Sequence, residues 1–126
     1  MNTAQVHGKI VALYQTGRFD EALELIDPDV VDHRGGRQGT HRGIDAWRAK
    51  WAAMAGGDLT VTVEQNVTQG EISVNRYTVR GPGYAVAGLD MVRVRDGRIV
   101  EHWAVLDTDA IAHQTGGLSS PPATRT

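Results

Sequence analysis

The sequence predicts an α+β domain, a curved antiparallel sheet folded around helices that come first in the chain. Two observations carry this. Apolar residues recur at helical spacing through residue 55 and switch to alternation from residue 59 onward. An Asp96-Gly97 pair sits between two long β-like runs, the strongest short signal for a hairpin. Helices first and antiparallel strands afterwards is the α+β arrangement. A chain of 126 residues can bury a core of its own, and the absence of cysteine removes disulfides, thiolate metal sites and cysteine nucleophiles.

Taken in order, Val6, Ile10, Leu13 and Tyr14 predict an amphipathic helix over residues 3–16, ended by Gly17. Phe19, Ala22, Leu23 and Ile26 predict a short second helix, stopped by Asp27-Pro28 because the residue before proline avoids helical dihedrals. Val30, Val31 and His33 read as a short strand, and residues 34–43, with four glycines, as a loop. Ile44, Trp47, Trp51 and Met54 give a third helix an aromatic stripe, with Gly56-Gly57 at its end. Strands are expected at 59–64, 71–80, 84–95 and 98–106, then a helical turn at 108–114. A single domain is expected over 1–116, with a disordered tail over 117–126.

Composition narrows the partners. Thirteen Lys+Arg against 15 Asp+Glu leave no basic field for nucleic acid or anionic lipid. No apolar stretch approaches a membrane span, and the first 15 residues do not resemble a signal peptide, so a soluble cytoplasmic protein is expected. The glycine loop lacks a phosphate-binding pattern, and no serine sits in a nucleophile-elbow context. His33, His41 and Asp32 match no compact metal motif, so no metal is expected.

Counting back from Asp96-Gly97 as a two-residue turn pairs Arg95 with Arg98, Val94 with Ile99, Val92 with Glu101 and Asp90 with Trp103. On an unbroken ladder one face then holds Asp90, Glu101, Trp103 and Asp107 among apolar residues, and the helices are assigned to it. His102 falls on the other face. A carboxylate against apolar walls is expected to have a raised pKa, which suits proton transfer near neutrality. Gly88 would leave a ligand room beside it. Trp103 is the first candidate to line the pocket; Tyr14, Trp47 and Trp51 follow. Arg76 is the obvious ion-pair partner for Asp90. His33 is a candidate for its assisting base. His7, His41 and His113 are expected at the surface.

The run Asp90-Met-Val-Arg-Val-Arg-Asp-Gly-Arg-Ile-Val-Glu-His-Trp-Ala-Val-Leu-Asp107 resembles the SnoaL-like polyketide cyclases of the NTF2-like superfamily. Asp29-Val-Val-Asp-His33, the glycine loop and Gly43 before the tryptophan helix fit the same pattern, over most of residues 3–116. The resemblance implies a cone of curved sheet with three helices and a cofactor-free cyclase, isomerase or lyase reaction on an apolar polyketide-like small molecule. It implies Asp90 as general acid/base, Asp107 as a residue that orients a water or closes the mouth, and a homodimer. A family histidine that assists the acid has no counterpart in Tyr77-Thr-Val-Arg-Gly81, so that role falls to His33 or Arg76. Two alternatives stand beside this: a non-catalytic binding or dimerisation domain of the same fold, and an epoxide hydrolase of the limonene type. The latter's arginine two residues before the aspartate is Gly88 here, and Arg76 would have to replace it.

Overall fold

The computed structural model describes residues 1–54 and 58–116. Helix α1 (Thr3–Gln15) opens on a capping box: the Asn2 side chain accepts from the Gln5 amide, and the Gln5 side chain accepts from the Asn2 amide. Its buried stripe is Val6, His7, Ile10 and Leu13. Helix α2 (Phe19–Leu23) is shorter than expected, because Ile26 already belongs to strand β1 (Ile26–His33). Asp27-Pro28 therefore lies inside a strand rather than ending a helix. The pairing of β1 with its neighbour is interrupted between Ile26 and Val31, where a proline costs no ladder bond.

The glycine loop holds a short strand, β2 (Thr40–Arg42), which folds back on β1. Three residues are too few to show alternation. Helix α3 (Ile44–Met54) follows. Gly56-Gly57 and the tail 117–126 lie outside the described residues. Strands β3 (Thr60–Gln69), β4 (Ile72–Gly81), β5 (Tyr84–Arg95) and β6 (Arg98–Leu106) form the meander, and α4 (Thr108–Thr115) closes the described chain.

The sheet order is β2-β1-β6-β5-β4-β3, with β1 and β6 parallel and the other pairs antiparallel. The sheet is curved and does not close into a barrel. Val6, Ile10 and Leu13 of α1 and Trp47 and Trp51 of α3 pack with Val30, Val92, Val94 and Ile99 of the sheet into one buried core. The helices thus cover the face that carries Asp90, since Val86, Val92 and Val94 share its parity along β5 and are buried. No helix among the described residues is long and apolar enough to cross a membrane.

The hairpin departs from the simple count. Asp96 and Gly97 take φ of 52° and 75°, the positive pair a type I′ turn requires, and Arg95 pairs with Arg98 as expected. Val94 pairs with Ile99, but Arg93 then pairs with Glu101, so Val100 is an extra residue in β6. This β-bulge moves every later β6 residue to the opposite face from the one the count assigns. Asp90 lies opposite Ala104 rather than Trp103, and Val92 opposite His102. His102 therefore shares the concave face with Asp90, whereas Glu101 and Trp103 lie on the outer face.

Candidate functional site

Four elements bring one polar network to the concave face. Asp90 comes from β5, His102 from β6, Asp32 from β1 and His7 from α1. His102 lies between two acids, with Nδ1 at 2.8 Å from Asp32 Oδ1 and Nε2 at 3.2 Å from Asp90 Oδ2. His7 Nε2 is 3.0 Å from each Asp90 oxygen, and its Nδ1 is 2.7 Å from Ser73 Oγ. Asn66 donates its side-chain amide to Ser73 Oγ at 2.8 Å and to Asn75 Oδ1 at 2.8 Å. At the far end Asp32, 2 % exposed, also accepts from Lys50 Nζ at 2.8 Å and Arg34 Nε at 3.0 Å.

Donor and acceptor inventory fixes the protons. An ionised carboxylate only accepts. With Asp32 and Asp90 both ionised, His102 must donate from both nitrogens, which is the imidazolium form. Ser73 Oγ accepts from Asn66 and shares its remaining lone pair and its hydroxyl hydrogen with His7 Nδ1 and Thr68 Oγ1. His7 donates from Nε2 to Asp90. Two carboxylates thus face Lys50, Arg34 and the His102 cation, the pairing that buried charge requires.

This reverses the expected shift at Asp90. Burial pushes its carboxyl up, but the hydrogen bonds from His102 and His7, with the histidines' charge, outweigh burial and bring it down to about 2. Asp32 is likewise pushed up by burial and brought down further by His102 and Lys50, well below the usual carboxylate range. Both folded values lie below the unfolded value of about 3.9. Their stabilisation is therefore present above about pH 4 and is lost as pH falls through the folded values. Urea midpoints are expected to hold from pH 7 to 5 and to drop steeply between pH 4 and 2. Asp90→Asn should remove about 2 kcal/mol of that pH-dependent part.

Aromatic residues surround the network. Trp47 meets the His102 ring edge-on at 4.9 Å, and the Lys50 amine lies 3.5 Å over the Trp47 ring. Trp51 joins Trp47 at 5.7 Å to Tyr14 at 5.3 Å, and Phe19 completes the cluster. Burial pushes the Tyr14 hydroxyl's pKa up. Tyr14, Trp47 and Trp51 thus lie on the Asp90 side. The space above Gly88 is not open, however: the Tyr77 ring occupies it.

The other sequence candidates lie elsewhere. His33 stacks on Trp103 at 5.0 Å and binds Glu101 through Nε2 at 2.7 Å, on the outer face. The bulge at Val100 accounts for Glu101 and Trp103, and β1 alternation places His33 opposite in direction to Asp32. Arg76 pairs with Leu89, also facing outward, so it neither partners Asp90 nor completes an Asp-Arg-Asp set. Asp107 caps α4, accepting from the Ala110 amide at 2.9 Å. Two surface grooves, one lined in part by Leu23, Ile26, Pro28 and Ile44 and one by residues around the 96–97 turn, do not include Asp90. The carboxylate is reached instead through its own partial exposure: 16 % for the Asp90 side chain and 12 % for that of His102.

His7, Asp32 and His102 were not among the expected site residues. His7, read as a surface residue, is fully buried. Its signal was present, since residues 7, 10 and 14 share a helix face. Asp32 alternates in register with buried Val30, which placed it inward as well.

The fold and this network define an NTF2-like protein, an open curved sheet whose helix-covered face carries a buried acid–histidine cluster. The chain belongs to the SnoaL-like domain family, whose model matches residues 8–102. Among solved structures, a loop-truncation variant of IdmH is 34 % identical, with a TM-score of 0.80, over 90 % of this chain and 99 % of that one. Wild-type IdmH, "a putative polyketide cyclase from Streptomyces antibioticus", is 29 % identical, with a TM-score of 0.83, over 92 % and 99 %. A "Putative SnoaL-like polyketide cyclase" from Shewanella denitrificans OS-217 is 15 % identical, with a TM-score of 0.78, over 92 % and 98 %, a match in fold. No curated protein sequence matches the chain.

Proposed function

We propose that the protein is a cyclase or isomerase acting on an apolar, polyketide-like carbonyl compound, with Asp90 as general acid/base. The observation that carries this is the position of Asp90. Its side chain is 16 % exposed and it is a carboxylate that can take up a proton, whereas His7 and His102 have both ring nitrogens committed to other groups. The family and the resemblance to IdmH support cyclase chemistry as the class.

The step balances without a further reactant. The ionised carboxylate takes a proton from the carbon beside a carbonyl, and the electron pair moves onto the carbonyl oxygen. The enolate carbon attacks a second carbonyl of the same molecule and forms the ring bond. The resulting alkoxide takes the proton back from Asp90. A carboxyl at about 2 is a weak base in water. An apolar substrate covering its exposed edge strips that water away and raises its basicity. The hydrogen bonds from His102 and His7 hold it in place during the transfer.

That low value also supports a second reading, in which the acid is structural and the face binds without reacting. Deuterium exchange separates the two. The wild-type protein should accelerate exchange of the protons beside the carbonyl of 2-tetralone in D2O, followed by proton NMR, whereas a binding domain should not.

The outer sheet face is proposed as the contact for a second copy. Leu89, Val105 and Val67 on three strands of that face are 48 %, 70 % and 61 % exposed, and Leu89 pairs directly with Val105. Antiparallel strands with an apolar outer surface fit a self-complementary contact. Leu89→Asp with Val105→Asp should weaken dimerisation at least about a hundredfold by analytical ultracentrifugation, since two charges would be buried per copy. A wild-type protein that sediments as a monomer at 50 µM would refute the contact.

A further inference from the structure

The enolate oxygen that forms beside Asp90 needs a hydrogen-bond donor. Trp47 Nε1 lacks a partner among the described residues, but the atom is fully buried and does not meet a ligand. His33 faces outward, Asp107 caps α4, and His7 and His102 have no free nitrogen. Tyr14 belongs to the aromatic cluster with Phe19 and Trp51.

We infer that the Tyr77 hydroxyl is the donor that holds the substrate's carbonyl oxygen beside Asp90, an inference that rests on the acid/base reading above. Tyr77 lies on the concave face of β4, directly opposite Gly88, and one same-face step from Asn75, which pairs with Asp90. Diagonal neighbours of this kind lie about 7–8 Å apart at the backbone, within reach of an aromatic side chain. A Cβ added at Gly88 would meet Tyr77 Cε2 at 2.5 Å, Cζ at 2.7 Å and Oη at 2.9 Å. The ring therefore rests on bare glycine backbone, its hydroxyl end over the residue two before Asp90. Any other residue at position 88 would lift it away.

The hydroxyl makes no hydrogen bond to a described residue, and Tyr77 is half-buried rather than closed off from solvent. Burial, with Asp90's charge, pushes it up to about 12, so it keeps its proton across the working range and donates as a neutral phenol. Tyr84 repeats the arrangement over Gly81, but its position on β5 is six residues from Asp90, roughly 20 Å along the strand. Tyr77 is the phenol placed for the reacting carbonyl, and Gly88 is its seat.

The test compares 2-tetralone with tetralin, which has the same rings and no carbonyl. Dissociation constants are measured by calorimetry for wild type, Tyr77→Phe and Gly88→Ala, with thermal melts alongside. Wild type should prefer the ketone by about three- to tenfold. Tyr77→Phe should abolish that preference and leave tetralin affinity within about twofold, the mark of a lost hydroxyl rather than a lost ring. Exchange of 2-tetralone at saturation should fall about a hundredfold in Tyr77→Phe. Gly88→Ala should lower the ketone preference with the hydroxyl still present. A Tyr77→Phe protein that keeps its ketone preference overturns the role of Tyr77 while leaving Asp90 chemistry intact. Equal loss of both probes, with a lower melting temperature, also overturns it, in favour of packing. A wild type that binds neither compound overturns the acid/base reading and this inference with it.

Discussion

Asp90→Asn is expected to slow proton exchange beside the carbonyl of 2-tetralone by about a hundredfold or more, the contribution of a positioned acid/base. The amide matches the carboxylate in shape and cannot take up a proton at neutral pH. It also disturbs the network. Its oxygen accepts from one histidine, and its nitrogen faces the other, where His7 and His102 both donate in the wild type. A loss of about 1–3 kcal/mol is expected for one mismatched charged contact, short of unfolding. Exchange measured well below the melting point therefore reports chemistry. Exchange still accelerated to the wild-type level in a folded variant would assign Asp90 a structural role and the proton transfer to another group.

The largest stability effect is expected at Asp32. This carboxylate accepts from His102, Lys50 and Arg34, and its side chain is 3 % exposed. Asp32→Ala leaves three cationic groups without their shared acceptor. Breaking a buried pair by removing one partner costs about 3–5 kcal/mol. Melting should fall by about 10 °C or more, because 1 kcal/mol shifts a domain of this size by several degrees. Part of the loss should be recovered by Asp32→Ala combined with Lys50→Met, which removes one orphaned cation and keeps an apolar stem beneath Trp47. A shift under 2 °C in the single variant would show that the cluster contributes little to folding.

Much of the architecture was legible in the residues. The switch from helical spacing to alternation separates α1–α3 from the meander, and Asp96-Gly97 locates the hairpin to the residue. Asp90 facing the helices followed from parity along a single strand, which needs no partner. The other side of the hairpin was not legible beyond two pairs, because the bulge at Val100 carries no residue-type signal: a valine reads as ordinary strand. That one residue exchanged the faces of His102 and Trp103, and with them the neighbours of Asp90. The expected rise in its pKa failed for the same reason. Apolar walls raise a carboxyl, but two donating histidines arrive from β6 and from α1, 83 residues away in sequence, and outweigh them. Strand β2 was hidden by its length, and the first half of β1 by a proline that usually ends structure.

The most direct measurement is carbon NMR of the Asp90 carboxyl in protein labelled at aspartate, followed with pH and with added 2-tetralone. The expected signal is that of a carboxylate from pH 8 down to 4, displaced when the ketone saturates. A titration midpoint near neutrality would contradict the histidine-held carboxylate, and a signal unmoved by bound ketone would contradict its place at the reacting carbon.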